Sequence, residues 1–117
     1  MSFKFKINNK NWEVQEKTQQ EIKQEIINRY GNPKDDAIYF GITCLDTQTI
    51  FLDKNLCLDR KRTTLLHELA HCYIGTFITH MDRLNYDEED IADVVSNSFD
   101  IISTIERRYF KRSDVSK

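Results

Sequence analysis

The stretch Arg62-Thr63-Thr64-Leu65-Leu66-His67-Glu68-Leu69-Ala70-His71 reads as continuous helix. Residues four apart on a helix project from one face, one turn above the other, so His67 and His71 present their imidazoles side by side. Glu68 stands about 100° around the axis from His67. Leu65, Leu66, Leu69 and Ala70 give the same helix an apolar side to bury. Asp59 is the expected N-cap, and Gly75 the expected C-terminal stop.

Two imidazoles so spaced can share one metal ion, and zinc takes ligands of this kind. A glutamate beside the first histidine reaches the metal's water without occupying a coordination position. Zinc acidifies that water and polarises a carbonyl, while the glutamate removes a proton and later returns it. The expected cofactor is therefore Zn2+, with His67 and His71 as metal ligands and Glu68 as the catalytic residue. A metzincin pattern is excluded, because it needs Gly and His where this chain has Ile74 and Phe77.

Upstream, Phe3, Phe5 and Ile7 alternate with polar residues, Asn8 to Asn11 carry turn chemistry, and Trp12 and Val14 resume the alternation. That is a hairpin. Thr18 with Glu21 forms a capping box, Ile22, Ile26 and Tyr30 repeat at helical spacing, and Gly31-Asn32-Pro33 ends the helix. Residues 37 to 45 read as a strand with Ile38, Phe40, Ile42 and Cys44 on one face and Tyr39 and Thr43 on the other. A turn over Asp46 to Thr49 leads to a strand over Ile50 to Asp53. Downstream comes a loop from Thr76 to Tyr86. Asp87 then caps a last helix with Ile91, Val94, Val95, Ile101, Ile102 and Ile105 on its apolar side.

The order strand, strand, helix, strand, strand, helix, helix predicts an α+β fold, with the helices on one face of a small, mostly antiparallel sheet. Residues 1–110 are expected to form one domain, and 111–117 a frayed polar tail.

The composition narrows the function classes. With 117 residues, 39% hydrophobic and 31% charged, the chain can bury a core without disulfides. A net charge of -2 with interspersed signs lacks the basic field that nucleic acid demands. No stretch is long and apolar enough for a signal core or a membrane span, so a cytoplasmic location is expected. Cys44, Cys57 and Cys72 form no C-x-x-C pair and read as reduced core residues, with Cys72, next to His71, a weak alternative ligand.

Residues Arg62 to His71 resemble the Arg-x-Thr-Leu-x-His-Glu-Leu-x-His segment of the ImmA/IrrE-like metallopeptidases, common on phages and integrative elements of bacteria. The resemblance covers residues 38 to 100 and leaves the hairpin and first helix outside it. It implies a zincin-like domain of the gluzincin kind, and an endopeptidase whose protein substrate is a repressor or other regulator. The chain departs from the family at Val94-Val95-Ser96-Asn97-Ser98-Phe99, where many members show a Leu-Leu-Met-Pro ending, and it carries no helix-turn-helix of its own.

Catalytic zinc takes three protein ligands, and the acidic run Asp87-Glu88-Glu89-Asp90 offers the third. Glu89 with Asp93 looks like the Glu-x-x-x-Asp element of thermolysin-like enzymes, in which the glutamate binds zinc and the aspartate holds a ligating histidine. Glu88 is the competing choice. His80, Tyr73 and Tyr86 are candidates for stabilising the oxyanion. A substrate segment is expected to pair with an exposed strand edge, that of Ile50 to Asp53. The alternative to an enzyme is a non-catalytic binding or inhibitor protein that uses this scaffold to capture a regulator. The sequence leaves the oligomeric state open.

Overall fold

The computed structural model describes residues 2–31, 38–77 and 88–112. Strands β1 (Ser2–Ile7) and β2 (Lys10–Lys17) are joined by Asn8 and Asn9. Both asparagines take positive φ, 49° and 68°, the backbone a two-residue hairpin turn requires and one that asparagine tolerates. Helix α1 (Gln19–Tyr30) opens on the full Thr18–Glu21 capping box, with the Glu21 amide donating to Thr18 Oγ1 at 3.1 Å and Thr18 N donating to Glu21 Oε1 at 2.9 Å. Such a cap is worth about 1 kcal/mol. Gly31 closes the helix at φ 91°, its amide donating to the Ile27 carbonyl.

Strands β3 (Gly41–Cys44) and β4 (Thr49–Asp53) follow, then helices α2 (Leu58–Phe77) and α3 (Glu88–Phe110). The sheet order is β1-β2-β4-β3. The β1–β2 and β3–β4 pairs are antiparallel, whereas β2 and β4 run parallel. The sheet is therefore mixed, and β4 is interior, paired on both sides; the expectation that Ile50 to Asp53 offers an open edge is overturned. Among the described residues, the edge strand near α2 is β3, paired only with β4.

Two cores lie on opposite faces of the sheet. Phe3, Phe5, Ile7, Trp12, Val14, Ile50 and Leu52 meet Leu65, Leu69 and Cys72 of α2 and Ile105 and Tyr109 of α3. On the other face Cys44 and Phe51 meet Ile22 and Ile26 of α1. The helices thus occupy both faces, because the period-2 alternation of β4 sends Phe51 away from its neighbours Ile50 and Leu52 and α1 covers it. Complete burial of each such side chain contributes about 1.5–3 kcal/mol.

Polar contacts lock the layers together. Glu16 of β2 pairs with Lys61 of α2 at 2.8 Å and accepts a hydrogen bond from the Tyr109 hydroxyl of α3. Arg62 pairs with Glu106 at 2.9 Å between α2 and α3. The Gln19 side chain donates to the Tyr39 carbonyl at 2.9 Å and to Asp53 Oδ2 at 2.8 Å, and accepts from Tyr39 N at 2.8 Å, tying the approach to β3 onto α1.

Several local expectations change. Strand pairing begins at Gly41, and residues 38–40 precede it; position 37 lies outside the described residues. Asp59 sits in the first turn of α2, after Leu58, and does not cap it. Gly75 does not stop α2, which continues to Phe77. Cys44 and Cys72 are buried, but Cys57, just before the helix, is exposed. On α3, Ile105 is buried and Ile101 and Ile102 pack on the core, yet Ile91 and Val95 are exposed. Of the expected tail only Lys111 and Arg112 are described, the Lys111 amide donating to Arg107 O and the Arg112 side chain to Tyr109 O; residues 113–117 lie outside the described residues. Among the described residues no helix is long and apolar enough to cross a membrane.

Candidate active site

Gly41 sets how closely α2 approaches β3, and Gly75 leaves room on the same helix for Leu45, just past the strand. A Cβ on Gly41 would stand 2.9 Å from the Phe51 carbonyl oxygen and 3.0 Å from Thr64 Cγ2, so the strand admits the helix only because position 41 has no side chain. A Cβ on Gly75, two turns beyond Glu68, would stand 2.7 Å from Leu45 Cδ2. The segment from His67 to His71 lies between these two close approaches.

Within it His67 and His71 meet as their spacing requires. Their Nε2 atoms are 3.2 Å apart and their ring centroids 4.9 Å, with the ring planes 76° from parallel. Both side chains are exposed, whereas Glu68 is buried at 5%. Its Oε1 accepts from Thr43 Oγ1 at 2.6 Å, a short charge-assisted bond that satisfies one oxygen of a carboxylate otherwise costly to bury.

Two shallow clefts flank this group and share Gly41, His67 and Glu68 in their walls. One, of about 310 Å³, is completed by Tyr30, Ile42, Thr43, Leu45 and His71. The other, of about 360 Å³, adds Ile38, Tyr39, Phe40, Arg60, Thr63 and Thr64. The Arg60 guanidinium lies 4.9 Å above the Phe40 ring. The imidazole pair and the carboxylate therefore stand midway along a surface trough beside β3.

The spacing of the imidazoles suits a shared metal. Two nitrogens each about 2.0–2.1 Å from a tetrahedral ion lie about 3.3 Å apart, close to the 3.2 Å observed. Among the described residues no group of three or more His, Cys, Asp or Glu side chains is placed to hold a metal. Glu89 and Asp93 are exposed on the first turns of α3. The side chain of Glu88 lies outside the described residues, as do His80, Tyr86 and Asp87. Cys72 is fully buried in the main core, where desolvation and then the charge of Glu68 push its thiol pKa up and keep it protonated. Tyr73 is buried at 9% and lines neither cleft.

Sequence reading gave no role to Gly41, Leu45 or Arg60, and gave Tyr30 only a place in the helical repeat of the first helix. Thr43 was visible as the polar member of an alternating strand, and that polar face is the one turned to Glu68.

Paired imidazoles next to a buried carboxylate are the residue types that metal-assisted hydrolysis uses. The profile of a peptidase family, described as the IrrE N-terminal-like domain, matches residues 20–99, and the chain belongs to that family. The match takes in α1, which the resemblance at the His67 segment had left out, and leaves β1 and β2 outside. Neither the curated proteins nor the solved structures give a match.

Proposed function

We propose that this chain is a zinc-dependent endopeptidase acting on a specific protein, with a repressor or other regulator as the substrate class. The observation that carries the reading is the pair of Nε2 atoms 3.2 Å apart beside a buried Glu68, in a chain of a peptidase family. His67 and His71 would be the histidine ligands; Glu89 of α3 is the proposed third, with Asp93 orienting a ligating histidine and Glu88 competing, although the described residues bring no third ligand up to the histidine pair. Bound there, zinc acidifies water and polarises the scissile carbonyl.

The remaining chemistry belongs to the chain itself. Glu68, held at Oε1 by Thr43, takes the proton of the attacking water at Oε2 and delivers it to the leaving amine. The substrate lies extended along β3. Phe40 O accepts from Asp53 N at 2.8 Å, so by the alternation of an antiparallel pair Ile42 and Cys44 turn their backbone groups toward β4, and Gly41 and Thr43 turn theirs to the open edge. Backbone pairing there orients a peptide across the His67–Glu68 group.

Glu68→Gln tests this reading. It should abolish cleavage of a co-expressed partner regulator while leaving folding and zinc content unchanged. Retention of the cellular effect by Glu68→Gln would instead favour a binding scaffold.

A further inference from the structure

We infer that Thr43 is a positioning residue for Glu68, fixing the carboxylate from the strand whose free edge receives the substrate; the inference rests on the peptidase reading above. Strand β3 has two residues turned toward α2. Ile42 packs against the α1-side core and Cys44 is buried in it, which leaves Gly41 and Thr43 on the opposite face. Gly41 has no side chain to offer, and its bareness is what lets α2 come close. Thr43 is therefore the one β3 side chain that reaches the helix.

Its hydroxyl oxygen stands 2.6 Å from Glu68 Oε1 and 3.2 Å from the Glu68 carbonyl oxygen. A hydroxyl has a single proton to give, and the shorter contact to the charged oxygen takes it. The β-branch at Thr43 stiffens χ1, so the direction of this bond is set by the strand and not by solvent. With Oε1 tied down, and no hydrogen bond to Oε2 from the described residues, Oε2 is the oxygen left to meet water. The backbone of the same residue faces the open edge, so one residue registers both the substrate strand and the base.

Two readouts test this and keep it apart from the peptidase reading. The first is a thermal double-mutant cycle on the full-length protein as purified. Thr43→Val should lower Tm by several degrees when Glu68 is present and hardly at all when Glu68 is Ala; equal losses in both backgrounds overturn the contact. The second uses a mixed-sequence library of fluorescence-quenched peptides as the probe. Thr43→Val should lower kcat about 10- to 100-fold with KM and zinc content nearly unchanged, and Thr43→Ser should restore most of the rate. A kcat unaffected by Thr43→Val, or a loss confined to KM, overturns the positioning role. A wild-type protein that turns over nothing in the library, while the thermal coupling is present, counts against the peptidase reading and supports the Thr43–Glu68 contact.

Discussion

Gly75, in the last turn of α2, packs against Leu45, just past β3, so closely that an added Cβ would lie 2.7 Å from Leu45 Cδ2. The atom in the way is the tip of a flexible side chain that is 54% exposed. Gly75→Ala should therefore displace Leu45 outward while gaining about 1 kcal/mol of helix propensity. Thermal melts are expected to show an unchanged or higher Tm, with the Leu45 methyl resonances shifted. A clear drop in Tm would mean that Leu45 cannot yield.

Gly41→Ala should behave in the opposite way. Its Cβ would meet the Phe51 carbonyl oxygen at 2.9 Å, Thr64 Cγ2 at 3.0 Å and Leu52 Cδ2 at 3.2 Å, and a backbone oxygen in a paired sheet cannot swing aside. Overpacking of this kind costs about 1–3 kcal/mol. Urea titration should show that loss, with α2 moved off β3 and the peptidase rate reduced with it. Unaltered stability would contradict the close approach.

Tyr109 supplies a pH-dependent contribution at the alkaline end. Burial, and then its hydrogen bond to Glu16, push its pKa above the ordinary 10.0. A raised folded pKa contributes stability that is complete below the unfolded value and is lost as pH rises through the folded one. Tyr109→Phe should be less stable at neutral pH, and its deficit against wild type should shrink above about pH 10. A deficit that stays constant with pH would show that Tyr109 ionises as readily in the fold as in the unfolded chain.

How much of this was legible in the sequence depends on the range of the contacts involved. The Asn8-Asn9 turn and the Thr18–Glu21 box are satisfied within a few residues, and both could be read directly. The same holds for His67 and His71, which one helical turn brings together. The interior position of β4 could not be read, because it follows from a parallel pairing of Val14 with Ile50 across 36 positions. The side taken by α1 follows from Phe51 and Cys44, which turn to the face opposite Ile50 and Leu52. Gly75 looked like a helix stop because glycine commonly ends helices, and its packing against Leu45 is a tertiary contact with no local signature. Cys57 was assigned to the core on composition, yet it precedes the first turn of α2 and faces solvent.

Metal and stability should be linked. Ligands drawn from α2 and α3 would be tied together by the ion, and whatever binds the folded state alone stabilises it by mass action. Chelator should therefore lower the Tm of wild type and leave that of His71→Ala where it was. Equal response in both proteins, or none in wild type, would separate the fold from metal binding.

The most direct measurement is zinc per chain, by elemental analysis of protein purified without chelator or added metal. The account predicts one equivalent in wild type and in Glu68→Gln, and a small fraction of that in His67→Ala, His71→Ala and Glu89→Ala. Wild-type protein with well under half an equivalent, or His67→Ala and His71→Ala variants that keep their zinc, would contradict it. A Glu88→Ala variant that empties while Glu89→Ala stays loaded would move the third ligand by one residue.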